Sequence, residues 1–418
     1  MKFYGLRWII IAIVFLLTVV NYIDRMTLST LAPEIMKEFA MTNVEYSRVV
    51  FSFLLAYMIS QSLMGRLLDR VGNRIGFVIF IGVWAVAGAL HSISQRALHL
   101  GIFRFLLGIG DGGNWPGAAK VVAEWFPQRE RAFAMAIFNS GASIGSVVAP
   151  PLIVWVALNY GWRKSFFIGP TLCLLIIILW YAFYRTPERH WLISDRERGM
   201  IISSRLAEAA GSNPVGNVKW RDLLKYRQTR ALVLGRFITD PIWWFYISWL
   251  PNYLKNARNF SLEMIGMLMW IPFLCADLGN LIGGGISSLL IKKGWSVDRA
   301  RRTVMIISAL LIPVGMISVF TENDAAALAA ISIAVFSFQS WIINVITLPS
   351  DCFPKEYVGS VAGLGGTAAG IGSMLVTLLV GYMVDYFSYT SVFILIGLLG
   401  PLGALVLFGT IKKIERAF

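Results

Sequence analysis

Residues 7–33 read RWIIIAIVFLLTVVNYIDRMTLSTLAP. The run is long enough to cross a bilayer as a helix, which takes about 20 apolar residues. Yet Asn21, Tyr22, Asp24 and Arg25 lie inside it. A charge at the middle of a membrane helix costs about 2.5–3.5 kcal/mol on the insertion scale. Such residues persist where they face a partner or water. Asn21, Asp24 and Arg25 stand at i, i+3 and i+4, so they share one helix face.

The rest of the chain continues the pattern. Its 418 residues are 57% hydrophobic and 14% charged, and mean hydropathy is +0.68. A soluble domain is closer to half apolar and a quarter charged. Apolar runs recur throughout without the alternation of a barrel strand, which predicts a polytopic helical membrane protein. Lys2 and Arg7 before the first run imitate a signal peptide. No small-residue cleavage site follows, so the run is expected to stay as a first helix. The net charge of +14 is read as basic loops on the cytoplasmic side, not as nucleic-acid binding. Cys173, Cys275 and Cys352 form no metal or disulfide pattern, and His91, His99 and His190 form no ligand cluster.

Twelve spans are predicted at 8–33, 46–66, 75–94, 98–124, 130–158, 164–184, 231–254, 261–291, 303–320, 325–349, 356–385 and 389–411. They form an N-terminal six-helix bundle (1–184) and a C-terminal one (231–418), joined by a linker (185–230). That linker holds ten basic and five acidic residues. With GRLLDRVGNR, PQRERA, KKGWSVDRARR and the tail KKIERAF, it marks the cytoplasmic side and places both termini there. GWRKS and NARNF are basic exceptions among the opposite loops. Six plus six helices around a basic linker match the repeat logic of secondary transporters. No GxxxxGK[ST] loop is present to bind a nucleotide.

Four further stretches carry chemistry. Gly65-Arg-Leu-Leu-Asp69-Arg70-Val-Gly72-Asn-Arg74 joins the second and third spans, where Asp69 can cap a helix or pair with arginines. Gly65, Asp69, Arg70 and Arg74 are expected to act as a conformational latch. The second-half loop GGGISSLLIKKGWS lacks the Asp-Arg pair. In the fourth span, Arg104 and Asp111 lie two turns apart on one face, with alpha-carbons about 10 Å apart, too far for an easy direct pair. Arg25 and Arg104 both fall roughly 9–12 Å below the outer surface, which points to one charged cavity. In the fifth span, Gly141, Gly145 and Ala149 are expected to pack where the two halves meet. In the seventh, Asp240-Pro241 interrupts the helix. Trp243 and Trp244 follow as a wall for a sugar ring, while Trp249 and Tyr253 fit a membrane-interface belt. Asp277, Gln339, Ser340, Asn344 and Thr367 are the remaining buried polar candidates.

NYIDR, GRLLDRVGNR, RxxxxxxD, AEWFPxxERAxA and TDPIWWFYISWLPNYL resemble the anion:cation symporter family of the major facilitator superfamily. TDPxWWF and TLPSDxFP are similar to its bacterial hexuronate transporters, and the likeness spans the chain. The resemblance implies an all-α membrane protein whose two six-helix bundles are related by pseudo-two-fold symmetry, in the bacterial inner membrane. It also implies that Tyr22 and Arg25 bind a substrate carboxylate, that Asp24 and Asp111 carry protons, and that Arg104 and Tyr57 lie beside them. Asp111 stands where the family often has Glu. Ala142 and Gly366 stand where some sugar-acid relatives have Gln and Asn.

The expected activity is import of a hexuronate such as glucuronate or galacturonate, coupled to protons. Asp24 is expected to compete with the anion for Arg25, with Asp240 and Asp277 in reserve. Trp243, Trp244, Gln339, Asn344 and Thr367 would meet the sugar. Another sugar acid or carboxylate, an anion exchanger and sodium coupling stay open. A sensor or membrane enzyme is disfavoured, because no large extramembrane domain or catalytic pair is present. The expected partners are a small carboxylate and the lipid bilayer, with no nucleic acid and no cofactor besides the coupling ion. The expected assembly is a monomer.

Overall fold

The computed structural model describes residues 4–211 and 220–415, which are helical with no strand among them. The elements are α1 (Leu6–Glu38), α2 (Asn43–Leu90), the 3-10 turn η1 (His91–Ile93), α3 (Ala97–Asp111), α4 (Asn114–Trp125), α5 (Gln128–Tyr160), α6 (Trp162–Ser165) and α7 (Ile168–Phe183). Two helices follow in the linker, α8 (Asp195–Gly211) and α9 (Trp220–Leu223). The second half has α10 (Arg227–Asn256), α11 (Leu262–Leu268), α12 (Trp270–Lys292), α13 (Val297–Leu311), η2 (Ile312–Met316), α14 (Ile317–Phe320), α15 (Asp324–Cys352), α16 (Lys355–Tyr386) and α17 (Tyr389–Thr410).

The twelve expected spans are all helical, several of them broken. The 67–74 loop shrinks to a bend, because Gly72 alone takes a left-handed backbone (φ 75, ψ 164) and α2 runs on. The fourth span breaks at Gly112–Gly113, between α3 and α4. Nine stretches of the described residues are long and apolar enough to cross a membrane by length and composition. The first part of α2, the α3–α4 pair and α10 fall outside that set. The last two carry Arg104 with Asp111 and Arg236 with Asp240.

The chain divides into two compact units. Unit 1 is Met1–Phe39 with Ser52–Pro214, and unit 2 is Ala40–Phe51 with Val215–Phe418. In unit 1, α5 presses on α1. A Cβ on Gly141 would lie 2.6 Å from the Phe15 carbonyl oxygen, and one on Gly145 would lie 2.7 Å from that of Val19. Gly141 and Gly145 of α5 therefore seat α1 of their own bundle. In unit 2, Pro241 has no N–H for the Phe237 carbonyl one turn earlier, and Gly372 of α16 packs against that oxygen. Trp249 and Tyr253 are buried in the protein rather than exposed as a belt residue would be. Trp249 meets Tyr46 edge-on at 5.1 Å, and the Tyr253 hydroxyl donates to the Ser318 carbonyl at 2.7 Å.

The linker is structured where the sequence reading expected a loop. Ser194 accepts from the Glu197 amide at 3.2 Å and starts α8, in the S-x-x-E spacing of a helix N-terminus. The Glu197 carboxylate turns instead to α1. It accepts from the amides of Gly5 (2.8 Å), Leu6 (3.1 Å) and Arg7 (3.3 Å) and pairs with the Arg7 guanidinium at 2.6 Å. Those amides are orphan donors of a helix start, where an acid is favoured.

His190, also in the linker, is fully buried. One ring nitrogen, Nε2, lies 2.9 Å from the Phe183 carbonyl, and Nδ1 accepts from the Leu192 amide at 3.2 Å. That arrangement needs the neutral ring. Burial, together with Arg185 and Arg198, pushes its pKa below the ordinary value, against a smaller opposing effect of Glu197. In the unfolded chain the imidazole takes a proton near pH 6.5. The stability it contributes is therefore present above that pH and lost as pH falls below it. Protection of the α8 amides against hydrogen exchange, relative to the intrinsic rate at each pH, is expected to fall on going from neutral pH to about pH 5, and His190→Gln should flatten that response.

Candidate functional site

The charged side chains of α1 separate in space. Residues 24 and 25 are about 100° apart around the helix, and they reach different neighbours. Arg25 pairs with Asp111 at the end of α3, with Nη2 at 2.7 Å and Nε at 2.8 Å from the same oxygen, Oδ2. Asn21, one turn before Arg25, donates to the other oxygen of Asp111. Asp24, by contrast, has the Trp84 side chain of α2 as hydrogen-bond partner. It sits so close to α7 that a Cβ on Gly169 would collide with its carboxylate. Asp111 rather than Asp24 therefore holds Arg25, a correction to the expectation that Asp24 competes for that arginine.

Aromatic rings surround the guanidinium. Arg25 stands 4.7 Å from the Tyr57 ring centroid, 5.3 Å from Tyr22 and 5.6 Å from Phe53. Phe53 and Tyr57 are stacked at 5.8 Å. Such faces attract a cation by about 1–2 kcal/mol when water is excluded. Arg104 of α3 also stands over Phe53, at 5.6 Å, and donates to the Arg25 carbonyl at 3.4 Å. Its charge also acts on Asp111. Asp24, Arg25, Arg104 and Asp111 are all buried.

Glycines set this geometry. A Cβ on Gly108 would lie 2.6 Å from the Phe53 carbonyl oxygen, and one on Gly110 would lie 2.6 Å from the Trp84 amide. Bare glycine lets α3 press against α2 on both sides of the Gly72 bend and brings Asp111 within reach of α1. Of the residues singled out in the sequence, Tyr22, Asp24, Arg25, Tyr57, Arg104 and Asp111 cluster here. Phe53, Trp84 and Gly169 were missed; nothing in their own sequence context marks them.

Unit 2 is arranged differently. Trp243 and Trp244 are half-buried on α10. Trp243 stacks with Phe338 at 6.4 Å and meets Phe273 edge-on at 6.0 Å. Gln339 is half-buried on α15. Asn344 is fully engaged: it accepts from Arg301 at 3.1 Å and donates to the Ser340 carbonyl at 2.8 Å. Arg301 also pairs with Asp351 at 3.1 Å. The Thr367 hydroxyl is returned to the Gly363 carbonyl, at 3.1 Å. Asp240 pairs with Arg236 at 2.6 Å, a partner the sequence reading did not name. Asp277 is half-buried on α12.

A family model described as Major Facilitator Superfamily matches residues 14–293 and 278–417. The chain belongs to the Major Facilitator Superfamily. It is 33% identical over 414 residues to a hexuronate transporter of Escherichia coli (strain K12), covering 99% of this chain and 95% of that protein. It is 32% identical to a galacturonate transporter of Dickeya chrysanthemi, over 80% of this chain and 97% of that one. The fold matches a crystal structure of a bacterial homolog to the human lysosomal transporter Spinster, with TM-score 0.79 and 15% identity, covering 97% of this chain and 96% of that chain.

This major facilitator protein is a multi-pass membrane transporter and not an enzyme. Its 65–74 loop is tied to its own bundle. Asp69 pairs with Lys120 of α4 at 3.0 Å, not with the loop arginines that the sequence suggested. Arg74 donates to the Tyr181 carbonyl at 2.9 Å and lies 4.4 Å from that ring. Arg70 is exposed, and Gly65 packs near Pro116.

Proposed function

We propose that this transporter imports a hexuronate, such as glucuronate or galacturonate, together with a proton. The observation that carries the reading is the buried Arg25–Asp111 pair among Tyr22, Tyr57 and Phe53. A guanidinium is a planar, permanently charged fork that fits a carboxylate. With Asp111 ionised, Arg25 is occupied and the pair is neutral. When Asp111 takes a proton, Arg25 is released to hold the substrate carboxylate, and the site is neutral again. One proton thus enters with each anion, and coupling is the difference in anion affinity between the two protonation states.

Arg104 braces Arg25 from the carbonyl side and adds positive potential. Asp24 is a second proton acceptor, held apart from the anion by Trp84. Trp243, Trp244 and Gln339 are the proposed sugar contacts, since Asn344 and Thr367 are engaged within unit 2. The Gly65–Arg74 loop acts as a latch, and both termini face the cytoplasm of the bacterial inner membrane. The protein works as a monomer. The similarity to a hexuronate transporter and a galacturonate transporter supports the sugar-acid class.

Uptake into proteoliposomes and thermal shift are the tests, with glucuronate, galacturonate, galactonate and gluconate as ligands. The hexuronates are expected to stabilise the protein most. An inward proton gradient should drive their accumulation, and a protonophore should collapse it. Uptake indifferent to both would point to an exchanger instead.

A further inference from the structure

The face of α10 in unit 2 carries a part-buried ion pair, made of residues on one helix. Arg236 donates to Asp240 through Nε at 3.2 Å and Nη2 at 2.6 Å, both to Oδ2. The other oxygen, Oδ1, has only a 3.5 Å contact with Nε. Nη1 of Arg236 has no bond among the described residues. It points at α16 where the neighbour is Gly366, whose absent Cβ would lie 3.7 Å away. Gly365 beside it also leaves room, with its Cβ position 3.3 Å from Arg236 Cδ.

Depth makes this pair unusual. α10 has 30 residues and so is about 45 Å long. Arg236 lies about 14 Å and Asp240 about 20 Å from its first residue. Asp240 therefore lies well inside the membrane-spanning length, with Arg236 one turn nearer its start. The side chains of Arg236 and Asp240 keep 19% and 12% of their surface accessible. A charged pair at that depth does not face lipid tails, so the open surface meets water or a polar ligand. Arg236, Asp240, Trp243 and Trp244 stand at i, i+4, i+7 and i+8, which is one face of the helix.

From this juxtaposition we infer that Arg236 and Asp240 form a hydroxyl-recognition pair for the sugar ring. The inference rests on the proposed sugar-acid reading. Arg236 Nη1 is a spare donor and Asp240 Oδ1 a spare acceptor, a few ångströms apart and locked by the other half of the ion pair. Adjacent hydroxyls on a sugar both donate and accept, so two neighbouring oxygens match the couple. The tryptophans one turn further along supply flat apolar surface for the CH face. The other polar candidates of unit 2 are less available: Asn344 is spent on Arg301 and Ser340, and Thr367 on its own helix. Arg236–Asp240 thus sets selectivity for a hydroxylated ring.

The test compares two probes, glucuronate and cyclohexanecarboxylate, which has the ring and the carboxylate without the hydroxyls. Affinity is measured by calorimetry on the purified full-length protein. Wild type is expected to prefer glucuronate. Asp240→Asn and the double variant Arg236→Gln with Asp240→Asn should each lower glucuronate affinity by about 10- to 100-fold, leaving cyclohexanecarboxylate within about twofold. The double variant removes both charges together, so no buried charge is left unpaired, and its Tm reports folding. An unchanged preference in these variants overturns the inference. So does an Asp240→Asn protein that keeps the preference and loses only proton-driven accumulation, since Asp240 would then be a coupling acid. Failure of the underlying reading looks different: an Arg25→Lys protein would bind both probes as wild type does.

Discussion

Arg25→Ala is expected to abolish sugar-acid binding, with affinity falling by about 100-fold or more, or about 2.8 kcal/mol at 1.4 kcal/mol per tenfold. The side chain provides the permanent positive charge that Tyr22, Tyr57 and Phe53 enclose. Removing it also strands Asp111 as a buried, unpaired carboxylate, which by itself destabilises a protein. Arg25→Lys separates the two effects. It keeps the charge and the neutrality of the pair but loses the two-pronged geometry. Its Tm should stay near wild type while affinity still falls by about tenfold or more. Calorimetry with glucuronate at neutral pH reads both variants. Normal binding by a folded Arg25→Ala protein would remove Arg25 from the site.

Asp111→Asn should uncouple the transporter. The amide cannot take up or release a proton in the working pH range, and it no longer neutralises Arg25. Anion binding should become independent of pH and at least as tight as in wild type, because no carboxylate competes for the guanidinium. Exchange of labelled for unlabelled substrate across proteoliposomes should persist. Accumulation driven by a proton gradient should fall to the passive level. Full accumulation in Asp111→Asn would move the coupling role to Asp24.

The fold was largely legible, because apolar length and basic loops report bilayer crossing directly. Its breaks were less so. Gly72 alone decides that α2 bends rather than stops, and a backbone angle at one glycine leaves little trace in composition. The linker helix α8 was missed because it lacks an apolar periodicity. The capping spacing Ser194 to Glu197 was its signal. In the candidate site, the shared depth of Arg25 and Arg104 and the two-turn spacing of Arg104 and Asp111 were visible. Which acid meets Arg25 was not. α1 is buried on nearly every side, so its pattern does not say whether residue 24 or 25 faces α3. Only the close approach permitted by Gly108, Gly110 and Gly169 decides it. Arg236 escaped notice because a basic residue near the start of a span reads as a loop charge.

The attachment of Glu197 to the first turn of α1 also bears on how the chain is made. The amide of Gly5 waits for a carboxylate 192 residues later in the chain. At a synthesis rate of roughly 5–20 residues per second, that partner emerges about 10–40 s after the helix it caps. During that interval the three amides of the first turn have only water to donate to. The carboxylate of α8 thus acts as a late closing stitch for unit 1, available only after every helix of the first bundle has been made.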